Sequence, residues 1–172
     1  MTATDAETSA TTNSTSAGAA RDPHRKSIRA SGRRRSAMAT DLRVRDFEFA
    51  TDEPAGIGGT NSAPTPMELV AGAVNGCIAV VVETIANEQG VAVTDIETAS
   101  TSHMDVRGFR GTAEVTPHFL DYELRVRVDS SATADQRHVI AREAERRCPA
   151  VNLIRDAGVP LDVIWEFTRS GE

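Results

Sequence analysis

The 172-residue chain is predicted to form one α+β domain, in which an antiparallel-rich sheet packs on a central helix and a second helix. Three observations predict this fold class. Several short segments alternate apolar and polar residues, as half-buried strands do, and two longer segments carry helix start signals. The segments follow the order strand, helix, strands, helix, strand, which is typical of an α+β domain. The length suits one compact domain with a tail better than two domains.

The N-terminal part of the chain changes in composition twice. Residues 1–25 are mainly Thr, Ala, Ser and Asp, with too few bulky apolar side chains to offset the entropy of ordering, so they are predicted to be a disordered tail. Residues 26–41 are basic and are predicted to be a linker or the region of a first strand; a docking patch for an acidic partner is the alternative. The ordered domain is predicted over residues 42–170.

The first predicted strand contains Leu42, Val44, Phe47 and Phe49, which approximate strand alternation with one slip. The run Asp52-Glu53-Pro54 ends it, and a loop rich in Gly and Pro follows. This loop lacks the Gly and Lys placement of a phosphate-binding turn.

The first helix has a clear start. Thr65 suits the N-cap, Pro66 suits the first helical position, and Glu68 stands at capping-box spacing. The helix is predicted to end before Gly90, with Cys77 in its middle. Because it is apolar on nearly all sides, we expect it to be covered by its own sheet and by a second subunit.

The middle of the chain is predicted to be mainly strands. Residues 91–101 alternate as a strand, residues 104–111 are predicted to be a strand end and turn, and residues 122–128 alternate apolar with charged side chains. The last pattern is typical of a strand buried on one side.

The C-terminal part is predicted to contain two helices and a strand. Thr133 and Gln136 have capping-box spacing and open a helix that runs to about Arg147. A short helix is predicted over residues 149–156, and residues 161–167 close the chain as a strand.

Composition excludes several classes of function. A net charge of −6 gives no reason to expect binding to nucleic acid or to an anionic membrane. The N-terminus lacks the apolar stretch of a signal peptide, and the longest uncharged apolar run, Leu69–Val82, is too short to cross a bilayer. The two cysteines form no CxxC and lie at no ligand-like spacing from the four histidines, so we expect no metal and no cofactor. A cytoplasmic protein is expected.

The two cysteines differ in their surroundings. Cys77 lies within an apolar helix, where a free cysteine usually serves as a small core residue. Cys148 follows two arginines and would cap the helix begun by Pro149, where the helix dipole and nearby cations stabilise a thiolate. A redox pair and a purely structural pair of buried thiols both fit these patterns.

A series of short motifs surrounds these cysteines. In order they are Asp52-Glu53-Pro54, Gly58-Gly59-Thr60, the PTPMEL run that begins at Pro64, Gly76-Cys77, Arg107-Gly108-Phe109, Arg125-Val126-Arg127 and Arg146-Arg147-Cys148-Pro149. Each motif is unspecific alone, but their order and spacing over about Arg43 to Phe167 resemble the OsmC/Ohr-like family of two-cysteine proteins.

The resemblance implies an OsmC-like fold, an intertwined homodimer, and active sites at the subunit interface. It further implies that Cys77 attacks a small organic hydroperoxide and becomes a sulfenic acid, which Cys148 converts to a Cys77–Cys148 disulfide. A second thiol protects a sulfenic acid from further oxidation. The implied reductant is a small thiol or a lipoylated protein.

Two further site residues follow from the resemblance, each with an alternative. The hydroperoxide reductases carry a glutamate where this chain has Met67, so the carboxylate of Glu68 is either catalytic or only a helix cap. This departure favours the alternative function, a non-catalytic ligand-binding or redox-sensing dimer. The arginine that stabilises the thiolate in the family falls near Arg34.

Three other arginines compete with Arg34 for that position. They are Arg33, Arg35 and Arg45. Any of them would offset the cost of ionising a thiol in an apolar site.

Overall fold

The computed structural model describes residues 22–169 of the chain. Most of the tail predicted over residues 1–25 lies outside the described residues, as do residues 170–172. Within the described range the chain forms two three-stranded β-sheets and four α-helices, so the predicted α+β class is confirmed.

The first sheet is an antiparallel meander of β1 (Ser31–Ser36), β2 (Ala39–Val44) and β3 (Phe47–Thr51). Apolar alternation predicted one strand with one slip, and the slip is the turn between β2 and β3, where Arg45 has a φ of 56°. Every residue of β1 is exposed, so this strand has no apolar pattern by which the sequence could reveal it.

The predicted central helix is confirmed as α1 (Pro66–Glu88), and it begins with the predicted capping box. The helix is longer than the uncharged run Leu69–Val82, and by length and composition alone it could cross a membrane. One face is nevertheless buried in the core of this domain, through Val74, Ile78, Val82, Ile85 and Ala86. We therefore describe α1 as a core helix.

The second sheet consists of β4 (Val93–Met104), β5 (Phe119–Ser130) and β6 (Leu161–Thr168), with β5 in the middle. β4 and β5 are antiparallel, whereas β5 and β6 are parallel, so the sheet is mixed. A short helix, α2 (Val106–Arg110), occupies much of the segment predicted to be a strand end and turn. Asp105 caps the start of α2 with its side chain, which explains why this segment forms a helical turn.

The connection from β5 to β6 holds the two remaining helices, α3 (Ala134–Arg147) and α4 (Pro149–Asp156), both as predicted. The core lies between the inner face of the second sheet and the helices α1, α3 and α4. Two neighbouring parallel strands need such a crossover connection, because the chain must return to the end of the sheet at which the first strand began. This arrangement brings the junction of α3 and α4 against α1, the helix that carries Cys77.

Candidate active site

Cys77 lies midway along α1, at the border between its buried and exposed faces. The thiol is half-buried and packs against the core, and its neighbour one residue on, Ile78, is fully buried. Val70, Val74 and Val81 follow the same stripe of the helix as Cys77, at spacings of three or four residues. Cys77 is thus both supported by the core and accessible from outside it.

Cys148 occupies the single residue between α3 and α4. It is the C-cap of α3 and the N-cap of α4, with an extended backbone at φ −72° and ψ 113°. Pro149 follows and favours an extended conformation in the residue before it. The side chain of Cys148 is completely buried in the core.

The two thiols are free cysteines that meet in the core. Burial raises the pKa of the Cys148 thiol above its ordinary value, and the contact with Cys77 raises it further. The nearby backbone N–H groups of Val151 and Ala150 act in the opposite direction but do not outweigh burial.

The prediction that the Cys148 thiol is acidic is therefore wrong. It assumed that the two preceding arginines would stand beside the thiol, but both are engaged elsewhere. Arg146 binds Glu143 at 2.6 Å, and Arg147 binds Glu88 at 2.6 and 2.8 Å. Because both cations are held in surface ion pairs, neither of them offsets the desolvation of the Cys148 thiol.

Glu68 serves as a helix cap. Its carboxylate accepts a hydrogen bond from the backbone N–H of Thr65 at 2.7 Å, and its own N–H donates to the Thr65 hydroxyl at 3.3 Å. Nine residues separate Glu68 from Cys77, which places them on opposite sides of α1 and about 13 Å apart along its axis. Within one chain, Glu68 does not face the thiol.

The candidate arginines lie in the first sheet, on two different faces. Arg34 pairs with Thr40, and Gly32, two residues before it, pairs with Leu42. Leu42 in turn pairs with Phe49. Because alternate residues of a strand share a face, Arg34 lies on the face that carries these apolar side chains.

The rivals of Arg34 are placed differently. Arg33 pairs with Asp41 on the opposite face, where Arg35 forms a salt bridge with that aspartate. Arg45 stands at the turn, with its guanidinium 4.9 Å from the centre of the Phe47 ring. The contacts of this sheet are chiefly internal, so a single chain does not bring Arg34 to Cys77.

Asp52 is an organising residue that was not predicted from the sequence. Its carboxylate is completely buried and accepts five hydrogen bonds, from the backbone N–H groups of Glu53, Thr60 and Ser62 and from the hydroxyls of Thr60 and Ser62. These bonds hold the pKa of Asp52 well below its usual range. The signal was present in the sequence, since an aspartate that precedes a Gly-rich loop with nearby Thr and Ser often folds that loop around itself.

The loop that Asp52 closes leads directly into α1. Gly59 is required there, because a Cβ at this position would lie 1.7 Å from the carbonyl oxygen of Glu53. The backbone N–H of Asp52 also donates to the carbonyl of Pro64 at 3.1 Å. Asp52 therefore fixes the point at which the first sheet joins the Cys77 helix.

The half-buried Cys77 on α1 contacts the buried Cys148 at the junction of α3 and α4. The fold and this pair of cysteines define a two-thiol α+β protein. Within residues 22–169, no group of three or more His, Cys, Asp or Glu side chains is arranged to hold a metal ion.

The OsmC-like protein family model matches residues 59–164, so this chain belongs to the OsmC-like family. Comparison of the sequence with curated proteins gives no significant match.

Solved structures share the fold at low sequence identity. An OsmC-like protein from Mycoplasma pneumoniae is 13% identical with a TM-score of 0.69, and the match covers 84% of this chain and 97% of that one. An organic hydroperoxide resistance protein from Elizabethkingia anophelis is 15% identical with a TM-score of 0.64, covering 86% and 100%. A protein from Legionella pneumophila, described as the organic hydroperoxide resistance protein OsmC, is 18% identical with a TM-score of 0.58, covering 83% and 97%. The expected OsmC-like fold is confirmed.

Proposed function

We propose that this protein reduces organic hydroperoxides, with Cys77 as the nucleophile and Cys148 as the resolving thiol. The observation that carries the proposal is the contact between the half-buried Cys77 and the fully buried Cys148. The exposed member of the pair is the one that a peroxide can reach. The buried member, whose pKa is raised, keeps its proton until the sulfenic acid forms.

The reaction balances in two steps. The Cys77 thiolate attacks the terminal peroxide oxygen, the O–O bond breaks, and the departing alkoxide takes a proton to become an alcohol. The Cys148 thiol then attacks the Cys77 sulfenic acid, which forms the disulfide and releases water. Two thiols of a small-molecule or lipoylated-protein reductant restore both cysteines by exchange.

The apolar stripe around Cys77 supports an organic substrate. Val70, Val74 and Val81 follow the stripe of α1 that carries the thiol, and none of them offers a hydrogen bond to a small polar peroxide. Val70 and Val81 are partly exposed beside the thiol, whereas Val74 is buried in the core. An alkyl chain gains free energy by contact with such a surface, whereas hydrogen peroxide does not. We therefore propose alkyl or lipid hydroperoxides as the substrate class.

We propose that a second copy of the chain completes the site. Val80 on the outer face of α1 is 67% exposed, and Phe47 in the first sheet is 61% exposed. Exposed apolar surface of this kind marks an interaction site. If the face of the first sheet that carries Arg34 docks onto the partner's α1, Arg34 moves toward the partner's thiol. Within its own chain, Arg34 does not lie near Cys77.

The dimer can be tested on the outer face of α1. A Cβ at Gly76 would meet no atom within 4 Å in a single chain. Gly76→Leu should therefore leave a monomer folded but should convert a dimer to monomers in light scattering. Gly90→Ala, at a position of positive φ outside this face, controls for general loss of stability.

A non-catalytic ligand-binding or redox-sensing dimer is the second candidate. The observation that favours it is the use of Glu68 as a helix cap, which leaves the site without the carboxylate that the hydroperoxide reductases carry. Under either function we expect a cytoplasmic protein.

One experiment separates the two functions. The reduced protein is mixed with cumene hydroperoxide, and free thiols are counted against time. We expect rapid loss of both thiols for each peroxide consumed, and slower loss with hydrogen peroxide. If the thiols survive a several-fold excess of organic peroxide for hours, the reductase proposal is wrong.

A further inference from the structure

We propose that Asn152 is a positioning residue for Cys148, and that Arg155, Glu145 and Trp165 hold Asn152 in the orientation this requires. The role assigned to Cys148 rests on the proposed function, whereas the effect on disulfide formation can be measured without a peroxide.

The side-chain amide of Asn152 joins the two helices that flank Cys148. Its Nδ2 donates to the carbonyl oxygens of Cys148 at 2.8 Å and of Glu145 and Arg146 at 3.1 Å each. The last carbonyls of a helix lack partners within the helix, and α3 ends at this point. An amide nitrogen has two hydrogens for these three acceptors, so one hydrogen is shared.

The backbone of Cys148 is fixed from both sides as well. Its N–H donates to the carbonyl of Ala144 at 2.9 Å, and its carbonyl accepts from the backbone N–H of Asn152 at 3.1 Å. With the side-chain bond added, Asn152 contacts the Cys148 carbonyl twice. Rotation of the Cys148 peptide would break both bonds, and the direction of the Cys148 side chain follows from that peptide.

A chain of hydrogen bonds determines which way the Asn152 amide points. Arg155 donates to the Asn152 side-chain oxygen at 3.4 Å and to the carboxylate of Glu145 at 3.1 Å. The indole N–H of Trp165 donates to the other carboxylate oxygen of Glu145 at 2.9 Å. A cation beside the amide oxygen turns the amide nitrogen toward the carbonyls. The network therefore links β6, α3 and α4 around the Cys148 junction.

Positioning matters because a disulfide tolerates little error. The two Cβ atoms must lie about 3.5–4.5 Å apart with a restricted torsion about the S–S bond. Cys77 lies on a regular helix, but Cys148 lies on a single extended residue between two helices. A geometry outside this range strains the disulfide and makes it easier to reduce. Asn152 thus sets how readily the two thiols join.

The test measures the equilibrium between the protein dithiol with oxidised glutathione and the protein disulfide with two reduced glutathiones. We expect Asn152→Ala to lower this equilibrium constant about fivefold or more, and Asn152→Asp to lower it at least as much, because its carboxylate would face three carbonyl oxygens. Arg155→Ala, at an exposed position, should lower it by a smaller factor. The fluorescence of Trp165, the sole tryptophan, reports whether each variant folds. If the Asn152 variants do not fold, Arg155→Ala still tests the proposal.

The matched control is Gln136→Ala, which removes the capping box at the other end of α3 and leaves the Cys148 junction intact. It should lower the melting temperature without changing the glutathione equilibrium. Equal losses in Gln136→Ala and Asn152→Ala would overturn the proposal, as would an unchanged equilibrium in Asn152→Ala and Arg155→Ala. If the wild type forms the disulfide with glutathione but ignores organic peroxides, the proposed function fails while the role of Asn152 stands.

Discussion

Arg147 and Glu88, the last residues of α3 and α1, form an ion pair through two hydrogen bonds of 2.6 and 2.8 Å. The pair connects the end of the Cys77 helix to the residue that precedes Cys148. The Arg147 guanidinium lowers the pKa of the Glu88 carboxyl, chiefly through these hydrogen bonds. Two parallel bonds between a guanidinium and a carboxylate fix orientation as well as distance.

Glu88→Gln should lower the melting temperature by a few degrees in low salt and by less in high salt, because the pair is partly exposed and salt screens it. Thermal unfolding followed by circular dichroism measures this. The matched control is Glu97→Gln, which breaks the more exposed pair with Arg127 on the outer face of the second sheet. Equal effects of the two variants would contradict a special role for the helix connection.

Asp52→Asn should lower the melting temperature by several degrees at neutral pH. The side-chain N–H group of an asparagine would face at least one of the five N–H and O–H groups that now donate to Asp52. The loop before α1 would then loosen. Asp46→Asn is the matched control, because Asp46 has a fully exposed side chain. A similar fall in both variants would mean that charge in general, and not the Asp52 loop, is responsible.

The contribution of Asp52 to stability should also depend on pH. Its hydrogen bonds depress its pKa in the folded state, so this contribution is complete above the unfolded value of about 3.9. It is then lost as the pH falls through the folded pKa. The difference in melting temperature between the wild type and Asp52→Asn should therefore be constant near neutral pH and shrink below about pH 4. A difference that persists unchanged into strong acid would contradict this assignment.

Gly59→Ala should destabilise the protein by about 1–3 kcal/mol or more, because the new Cβ would overlap the backbone of Glu53 and the loop must move. Gly56→Ala, three residues earlier in the same loop, meets no atom within 4 Å and should change stability by less than about 0.5 kcal/mol. Urea unfolding of both variants measures the difference. Comparable values would show that the loop can adapt to a side chain at either position.

The sequence predicted the three longer helices well, because their signals are local, whereas α2 was predicted to be a strand end and turn. The Thr65 and Thr133 capping boxes and Pro149 each mark a helix start through contacts within four residues, and all three are confirmed. β1 was not identified from an apolar pattern, because all six of its side chains are exposed and its strand conformation depends on pairing with β2. Pairing with a neighbouring strand leaves little trace in the sequence of the strand itself.

The candidate site was predicted in part for the same reason. Motif order identified Cys77 and Cys148, and the structure places them in contact. The raised pKa of Cys148 could not be inferred, because it depends chiefly on the burial of the thiol in the tertiary structure, while Arg146 and Arg147 are paired with Glu143 and Glu88. Sequence proximity of a cation to a thiol therefore does not indicate its electrostatic effect.

Arg34→Ala should slow the reaction with organic peroxide about tenfold or more, because loss of a nearby cation disfavours a thiolate in an apolar site. Arg33→Ala is the matched control: it removes the same charge from the same strand, but on the face that carries Asp41. It should change the rate by less than about twofold. Stopped-flow measurement of peroxide consumption compares them. If Arg33→Ala is the slower variant, the face assigned to the partner subunit is the wrong one.

The two cysteine variants should separate the two steps of the reaction. Cys77→Ser should abolish peroxide consumption, because the remaining thiol is fully buried and its raised pKa keeps it protonated. Cys148→Ser should consume about one equivalent of peroxide and then stall, because the sulfenic acid has no thiol to trap it.

Mass spectrometry of the peroxide-treated proteins distinguishes the possible outcomes. The wild type should contain a Cys77–Cys148 disulfide, and Cys148→Ser should accumulate sulfinic or sulfonic acid on Cys77. Burial supports this order, since an oxidant must enter the core to reach Cys148 but only its edge to reach Cys77. If Cys148 becomes over-oxidised in Cys77→Ser, the roles are reversed and the core must open to admit peroxide. If neither thiol reacts in the wild type, the pair has a structural or ligand-binding role and the helix-capping Glu68 becomes the significant departure from the hydroperoxide reductases.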